Sequence, residues 1–192
     1  MNLPTQLTVG RICLVPLVVA FLISNESTHA LVAAVLFTGA AVTDWLDGLI
    51  ARRRGQVTTL GKLLDPVADK VLVSAALISL VQVGTVEAWM VVIVIGREFA
   101  VTGLRSVSAA QGLVIEASDL GKYKTFSQYL AVTLLILERS VPSGFDSEFV
   151  YVSRGMLWAA LTLTVFSGID YFVRFYRASD VDALVRGEER WR

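Results

Sequence analysis

The sequence predicts an all-α integral membrane bundle of six transmembrane helices, folded as a single domain over residues 1–192. Composition is the first observation behind that prediction. Of 192 residues, 55% are hydrophobic and 18% charged, with a mean hydropathy of +0.64; a soluble domain usually carries about 25% charge. The second is arrangement: the apolar residues fall in long runs that approach the roughly 20 needed to cross a bilayer. The third is the placement of basic residues in alternate connections, the pattern that orients a multi-pass chain.

Taken in order, the runs predict helices over approximately 7–24, 30–51, 66–83, 87–109, 124–140 and 150–175. Polar connections separate them: NESTH, the RRRGQ region, QVGTVE, AAQGLVIEASDLGKYK and ERSVPSGFDSE. The first run differs from a signal peptide. No basic residue precedes it, Arg11 and Pro16 interrupt it, and no A-x-A pattern follows, so a retained helix is expected. The third run is short and is expected to be extended by the ADK turn at its start. Arg52, Arg53, Arg54, Lys62, Lys122, Lys124, Arg177, Arg186, Arg190 and Arg192 fall on one side of this arrangement, and only Arg139 and Arg154 on the other. Both termini are therefore expected in the cytoplasm, with the protein in the inner (cytoplasmic) membrane. Trp45, Trp89, Trp158 and Trp191 suit interfacial belts.

Several functional classes are disfavoured at once. Net charge is zero, which gives no electrostatic basis for nucleic-acid binding. The single Cys13 excludes an internal disulfide or a cysteine-built metal site, and the single His29 argues against a histidine-centred centre.

The chemistry gathers instead in TDWLDGLIARRRGQVTTLGKLLDPVADK, Thr43 to Lys70. Asp44 and Asp47 are spaced i,i+3, and Asp65 and Asp69 i,i+4, so each pair projects from one helical face. Carboxylates at the edges of apolar segments are costly and usually face a partner, an ion or a water-filled cavity. Two like charges at ~5 Å repel by roughly 3 kcal/mol at an effective dielectric of about 20. Four acids on two meeting faces therefore either retain protons or bind divalent cations, and oxygen-only ligands favour a hard ion such as Mg2+ or Mn2+. Gly48 and Gly61 permit close backbone approach, and Arg52 is placed to grip a phosphate that bridges the metals. Interhelical salt bridges among Asp44, Asp47, Arg52, Lys62 and Lys70 are the structural alternative.

This stretch resembles the signature of the CDP-alcohol phosphotransferase family, DxxDGxxAR, eight residues, then GxxxDxxxD. Asp44, Asp47, Gly48, Ala51, Arg52, Gly61, Asp65 and Asp69 occupy every fixed position, with the spacing of eight intact. The resemblance implies a six-helix fold in which Asp44, Asp47 and Asp65 ligate a pair of divalent ions, and Asp69 both approaches the metals and serves as general base. It implies that Gly48, Arg52 and Thr58, with Gly61 beside them, contact the CDP part of CDP-diacylglycerol. An alcohol would attack the lipid-side phosphorus and CMP would leave. It also implies a homodimer.

A second group of residues bears on the acceptor. Arg97 and Arg105, in GREFAVTGLR, are eight apart, about 80° around a helix, so both can serve one broad face. Glu98 is a candidate to orient Arg105, and Lys122 and Lys124 approach from the cytoplasmic loop. Such a basic group suits a phosphorylated acceptor better than neutral inositol, serine or choline. Together with ASDLGKYKTFSQ, the stretch resembles the phosphatidylglycerophosphate synthase branch of the family. LPTQLTVGR resembles that branch's PNxLTxxR segment, with Pro4, Leu7, Thr8 and Arg11 retained and Thr5 in place of asparagine. The acceptor implied is sn-glycerol 3-phosphate, held by Arg97, Arg105, Lys122, Lys124 and Arg11. Asp170 and Arg174 read as an i,i+4 ion pair. The alternatives are another acceptor in the same chemistry (inositol phosphate, inositol or serine) and a secondary transporter, since buried acids and arginines also build ion pathways.

Overall fold

The structure, a computed structural model, describes residues 3–54, 59–113, 119–141 and 146–189, with side chains over 9–43, 67–113, 119–141 and 148–178. Among these residues all regular structure is helical. Six helices follow in order: α1 Leu3–Leu22, α2 Ser27–Arg54, α3 Thr59–Gln82, α4 Ala88–Ala110, α5 Asp119–Glu138 and α6 Asp146–Glu189. α1 packs on α2 and α3, α5 lies along α6 and α2, and α4 bridges α3 and α6.

Short connections force neighbouring helices to run antiparallel, and each described turn has its own chemistry. Gly84 (φ 74°) and Gly112 (φ 77°) take the left-handed conformation just beyond α3 and α4. There the N–H of Thr85 returns to the Leu80 carbonyl, and that of Leu113 to the Ser108 carbonyl, each at 2.9 Å. These closures satisfy carbonyls that a helix end leaves open, and glycine is the residue that adopts this backbone without steric cost. At the α1–α2 turn, His29 Nδ1 bonds Ser24 Oγ at 2.7 Å and its ring meets Phe21 edge-on at 5.3 Å. The lone histidine is thus part of a helix start. Arg139, at the end of α5, donates to the carbonyls of Leu22 and Ser24 and so closes the C-terminus of α1. Arg154 of α6 reaches the Thr85 carbonyl and Glu138.

Burial is uneven along the bundle. Leu22, Phe37, Leu72, Leu80, Leu135 and Ile136 are fully buried; most lie where α1, α3 and α5 finish. Toward the other end, where α5 begins and α4 finishes, the described residues surround a cavity. Large apolar side chains also stand on the outer surface: Val35, Val92 and Phe166, from three different helices, are each more than 60% exposed. A surface of that kind suits hydrocarbon and is unusual in water. Glu148–Ala178 of α6 is long and apolar enough to cross a bilayer, and Val9–Leu22 and Ser27–Thr43 are shorter apolar helical stretches.

The helix bounds depart from the sequence expectation where polar residues continue a helix past its apolar run. α3 begins at Thr59, well before the expected start near Pro66. α5 begins at Asp119 instead of about residue 124. Its polar first turn is held by Lys122 Nζ donating to Asp119 Oδ1 at 2.8 Å, an i,i+3 pair that hydropathy does not register. That bond from Lys122, and its charge, hold the Asp119 carboxyl below the usual carboxylate range. α6 continues to Glu189 through ASDVDALVRGEE, whose alanine, leucine, arginine and glutamate residues are good helix formers.

Candidate active site

The cavity has a volume of about 1060 Å3 and is walled by residues of α2 to α6. Its apolar flank comes from residues such as Val73, Leu77, Val94 and Val101. Among the described residues five cationic side chains (Lys70, Arg97, Arg105, Lys122 and Lys124) and two carboxylates, Asp69 and Glu98, also line the cavity. A mostly apolar chamber in which cations outnumber acids among the described residues fits an amphiphile with an anionic head, or two anionic ligands side by side.

Glu98 organises several of these charges. Its Oε1 accepts from Arg97 Nη1 at 3.0 Å and from Lys124 Nζ. Lys124 is 3% exposed at its side chain, Arg97 15% and Glu98 20%. Such burial of a lysine is tolerated only with a close anion. Lys70 Nζ donates to Thr102 Oγ1 at 2.5 Å, and Thr102 in turn bonds the Glu98 carbonyl at 2.7 Å. Arg97 Nη2 donates to Ser167 Oγ of α6 at 3.1 Å. Arg105 stands over the ring of Tyr171, 5.8 Å from its centroid, a cation–π arrangement. Arg97 Nε and Tyr171 Oη are buried without a hydrogen-bond partner among the described residues, and both residues wall the cavity. Both atoms lie beneath the surface that the cavity exposes, so each carries the cost of an unpaired buried polar group, about 1–3 kcal/mol.

Asp69 lines the same cavity. Tyr129 Oη of α5 donates to its Oδ1 at 2.7 Å, and the buried Arg11 brings Nη1 to 3.8 Å from that oxygen. α1, α3 and α5 thus meet at one carboxylate.

The sequence-predicted residues divide accordingly. Asp69, Arg97, Arg105, Lys122 and Lys124 all wall the cavity. Arg11 does not line it and sits against Asp69 instead. Lys124 lies inside α5, buried against α4, while Lys122 stays at the solvent-exposed rim, 74% exposed. Glu98 is expected from the sequence to orient Arg105, but its carboxylate bonds Arg97 and Lys124 instead. Seven residues along a helix separate Glu98 from Arg105 by about 10 Å, which explains the difference. Asp170 and Arg174 form the expected pair at 2.9 Å. Asp44, Asp47, Gly48 and Arg52 fall on the last part of α2, and Gly61 and Asp65 on the first part of α3; their side chains lie outside the described residues. Thr58 lies outside them altogether. Among the described residues no three potential ligands gather to hold a metal, Asp69 being the one acid of the four whose side chain is described. The donor set itself, carboxylates on two consecutive helices, matches a hard divalent cation.

Sequence reasoning missed Tyr129, Ser167 and Tyr171. Each lies in an apolar helix where a hydroxyl reads as tolerated decoration. Only the register between helices reveals that Tyr129 faces Asp69 and that Ser167 faces Arg97.

Comparison with known proteins adds independent findings. A CDP-diacylglycerol–glycerol-3-phosphate 3-phosphatidyltransferase of Bacillus subtilis is 44% identical over 189 residues, covering 92% of this chain and 96% of the relative. The enzyme of the same name in Rickettsia bellii is 37% identical, covering 89% and 93%. A probable phosphatidylglycerophosphate synthase of Mycobacterium tuberculosis is 38% identical, covering 92% and 82%. Residues 1–166 match CDP-alcohol phosphatidyltransferase, a region that holds the whole aspartate signature and all of the cavity's cations; the chain belongs to the CDP-alcohol phosphatidyltransferase family.

Proposed function

We propose that this protein transfers the phosphatidyl group of CDP-diacylglycerol to sn-glycerol 3-phosphate, giving phosphatidylglycerophosphate and CMP. The observation that carries the reading is the cationic cavity beside Asp69: a carboxylate and a phosphate-binding wall share one chamber. The Bacillus and Rickettsia relatives are named for this donor and this acceptor. Five cations line the cavity against two carboxylates among the described residues, which favours a phosphorylated alcohol over a neutral acceptor such as inositol or serine.

In this reading Arg97, Arg105, Lys124 and, at the rim, Lys122 hold the acceptor's phosphate. The free hydroxyl then points toward Asp69, which takes its proton as the oxygen attacks the lipid-side phosphorus. The bond from that phosphorus to the CMP oxygen breaks, and CMP carries the electron pair away. Gly48, Arg52, Thr58 and Gly61 receive the CDP head. Asp44, Asp47, Asp65 and Asp69 would hold two divalent ions, Mg2+ or Mn2+, whose charge neutralises a diphosphate and stabilises the departing oxygen. Tyr129 and Arg11 keep the Asp69 carboxylate in place. The apolar flank lies where acyl chains leave the chamber for the bilayer. Six membrane spans, both termini in the cytoplasm and a cytoplasmic mouth complete the proposal, supported by the large apolar side chains on the outer surface and the alternation of basic connections. Assembly as a homodimer belongs to the same proposal.

Asp69→Asn tests the chemistry. Turnover should fall by at least about 100-fold, a typical contribution of general acid–base catalysis, while CDP-diacylglycerol affinity changes little. Turnover like that of the unmodified enzyme would remove Asp69 from the reaction.

A further inference from the structure

The family match ends at residue 166, yet the next turn of α6 touches the cavity's arginines. Ser167 is 1% exposed. Its hydroxyl hydrogen is committed to the Thr164 carbonyl at 3.1 Å, so the oxygen presents its lone pairs, and Arg97 Nη2 donates to it at 3.1 Å. A serine hydroxyl has one donor and two acceptor positions, which makes this an acceptor fixed in orientation. Gly168 is equally committed. A Cβ built there would stand 3.1 Å from Arg97 Cγ and 3.8 Å from its Nε. Any side chain at 168 must therefore displace the arginine by a few tenths of an ångström. Tyr171, on the same face as Ser167 four residues on, lies under Arg105.

We propose that Ser167 and Gly168 of α6 are positioning residues for the phosphate of the acceptor, acting through Arg97. This rests on the reading of the cavity as a phosphorylated-acceptor site. Glu98 holds one terminal nitrogen of Arg97, Ser167 the other, and the bare backbone of Gly168 makes room for the aliphatic stem. The guanidinium then has its plane set from both sides. Geometry of this kind matters more for a guanidinium than for an ammonium, because its donors form a rigid fork. Helix α6 thereby shares in selecting phosphorylated over neutral alcohols.

The test is a double-mutant cycle on purified protein in detergent, with steady-state kinetics in both substrates. Gly168→Ala and Ser167→Ala are made alone and in an Arg97→Ala background. Alone, each should raise the KM for glycerol 3-phosphate by about three- to tenfold, with kcat and the KM for CDP-diacylglycerol within about twofold. In the Arg97→Ala background neither should shift the acceptor KM further by more than about 1.5-fold. Ser167→Ala inserts nothing and keeps the proposal falsifiable should Gly168→Ala fold poorly. If Arg97→Ala raises the acceptor KM but the α6 changes do not, or if their effects add, the positioning role is overturned and the acceptor pocket stands. If Arg97→Ala itself leaves the acceptor KM unchanged, the pocket reading falls and this inference with it.

Discussion

The Glu98 cluster predicts an asymmetry between removing its anion and removing one of its cations. Arg97 and Lys124 share Oε1 of Glu98, so their charges stand no more than roughly 6 Å apart. At an effective dielectric of about 20, two cations at that distance repel by about 3 kcal/mol. In the intact protein the carboxylate offsets that repulsion. Glu98→Gln keeps the side chain's size but removes the charge, leaving Lys124 (3% exposed) without its anion, and should cost about 3 kcal/mol of stability. Lys124→Met replaces the ammonium with an apolar chain of similar length and leaves Glu98 bonded to Arg97, so it should cost about 1 kcal/mol. For a chain of this size about 1 kcal/mol corresponds to 2–4 °C in Tm. Thermal unfolding followed by tryptophan fluorescence in detergent should thus show Glu98→Gln lowering Tm by about 6–12 °C and Lys124→Met by about 2–4 °C. Equal shifts, or a larger loss from Lys124→Met, would refute the view that Glu98 is the hub.

Two further outcomes are expected. Arg139→Ala removes two charged hydrogen bonds to the end of α1 and should cost about 2–3 kcal/mol. Because neither Arg139 nor the end of α1 lines the cavity, KM for both substrates should stay within about twofold, and a selective change in either one would contradict a purely structural role. Chelation should abolish CMP release, with recovery on adding Mg2+ or Mn2+; activity that survives exhaustive chelation would remove the aspartate quartet from metal binding.

The aspartate signature was legible because its information is local. Spacing of i,i+3 and i,i+4 places acids on helical faces whatever the tertiary structure does, and the fixed glycines and Arg52 add to the same string. The acceptor wall was legible in part. Arg97 and Arg105 stood out as charges deep in an apolar run, but which partner each takes depends on how α4 meets α5 and α6. Glu98 turned away from Arg105 toward Lys124 for that reason. Lys124 was read as a loop residue because hydropathy starts a helix at its first apolar residue, whereas an Asp119–Lys122 pair starts it a turn earlier. Tyr129, Ser167 and Gly168 carry no charge and follow no spacing rule. Their importance exists only in the contacts between helices.

The central claim is that the cationic wall beside Asp69 selects a phosphorylated alcohol, and its most direct test is a competition. Purified protein with CDP-diacylglycerol and Mg2+ is given equimolar glycerol 3-phosphate, inositol phosphate, inositol and serine, and the lipid product is identified by mass spectrometry. The account predicts phosphatidylglycerophosphate as the dominant product, with CMP released in equal amount. A product built on inositol or serine, with glycerol 3-phosphate left unconsumed, would contradict it.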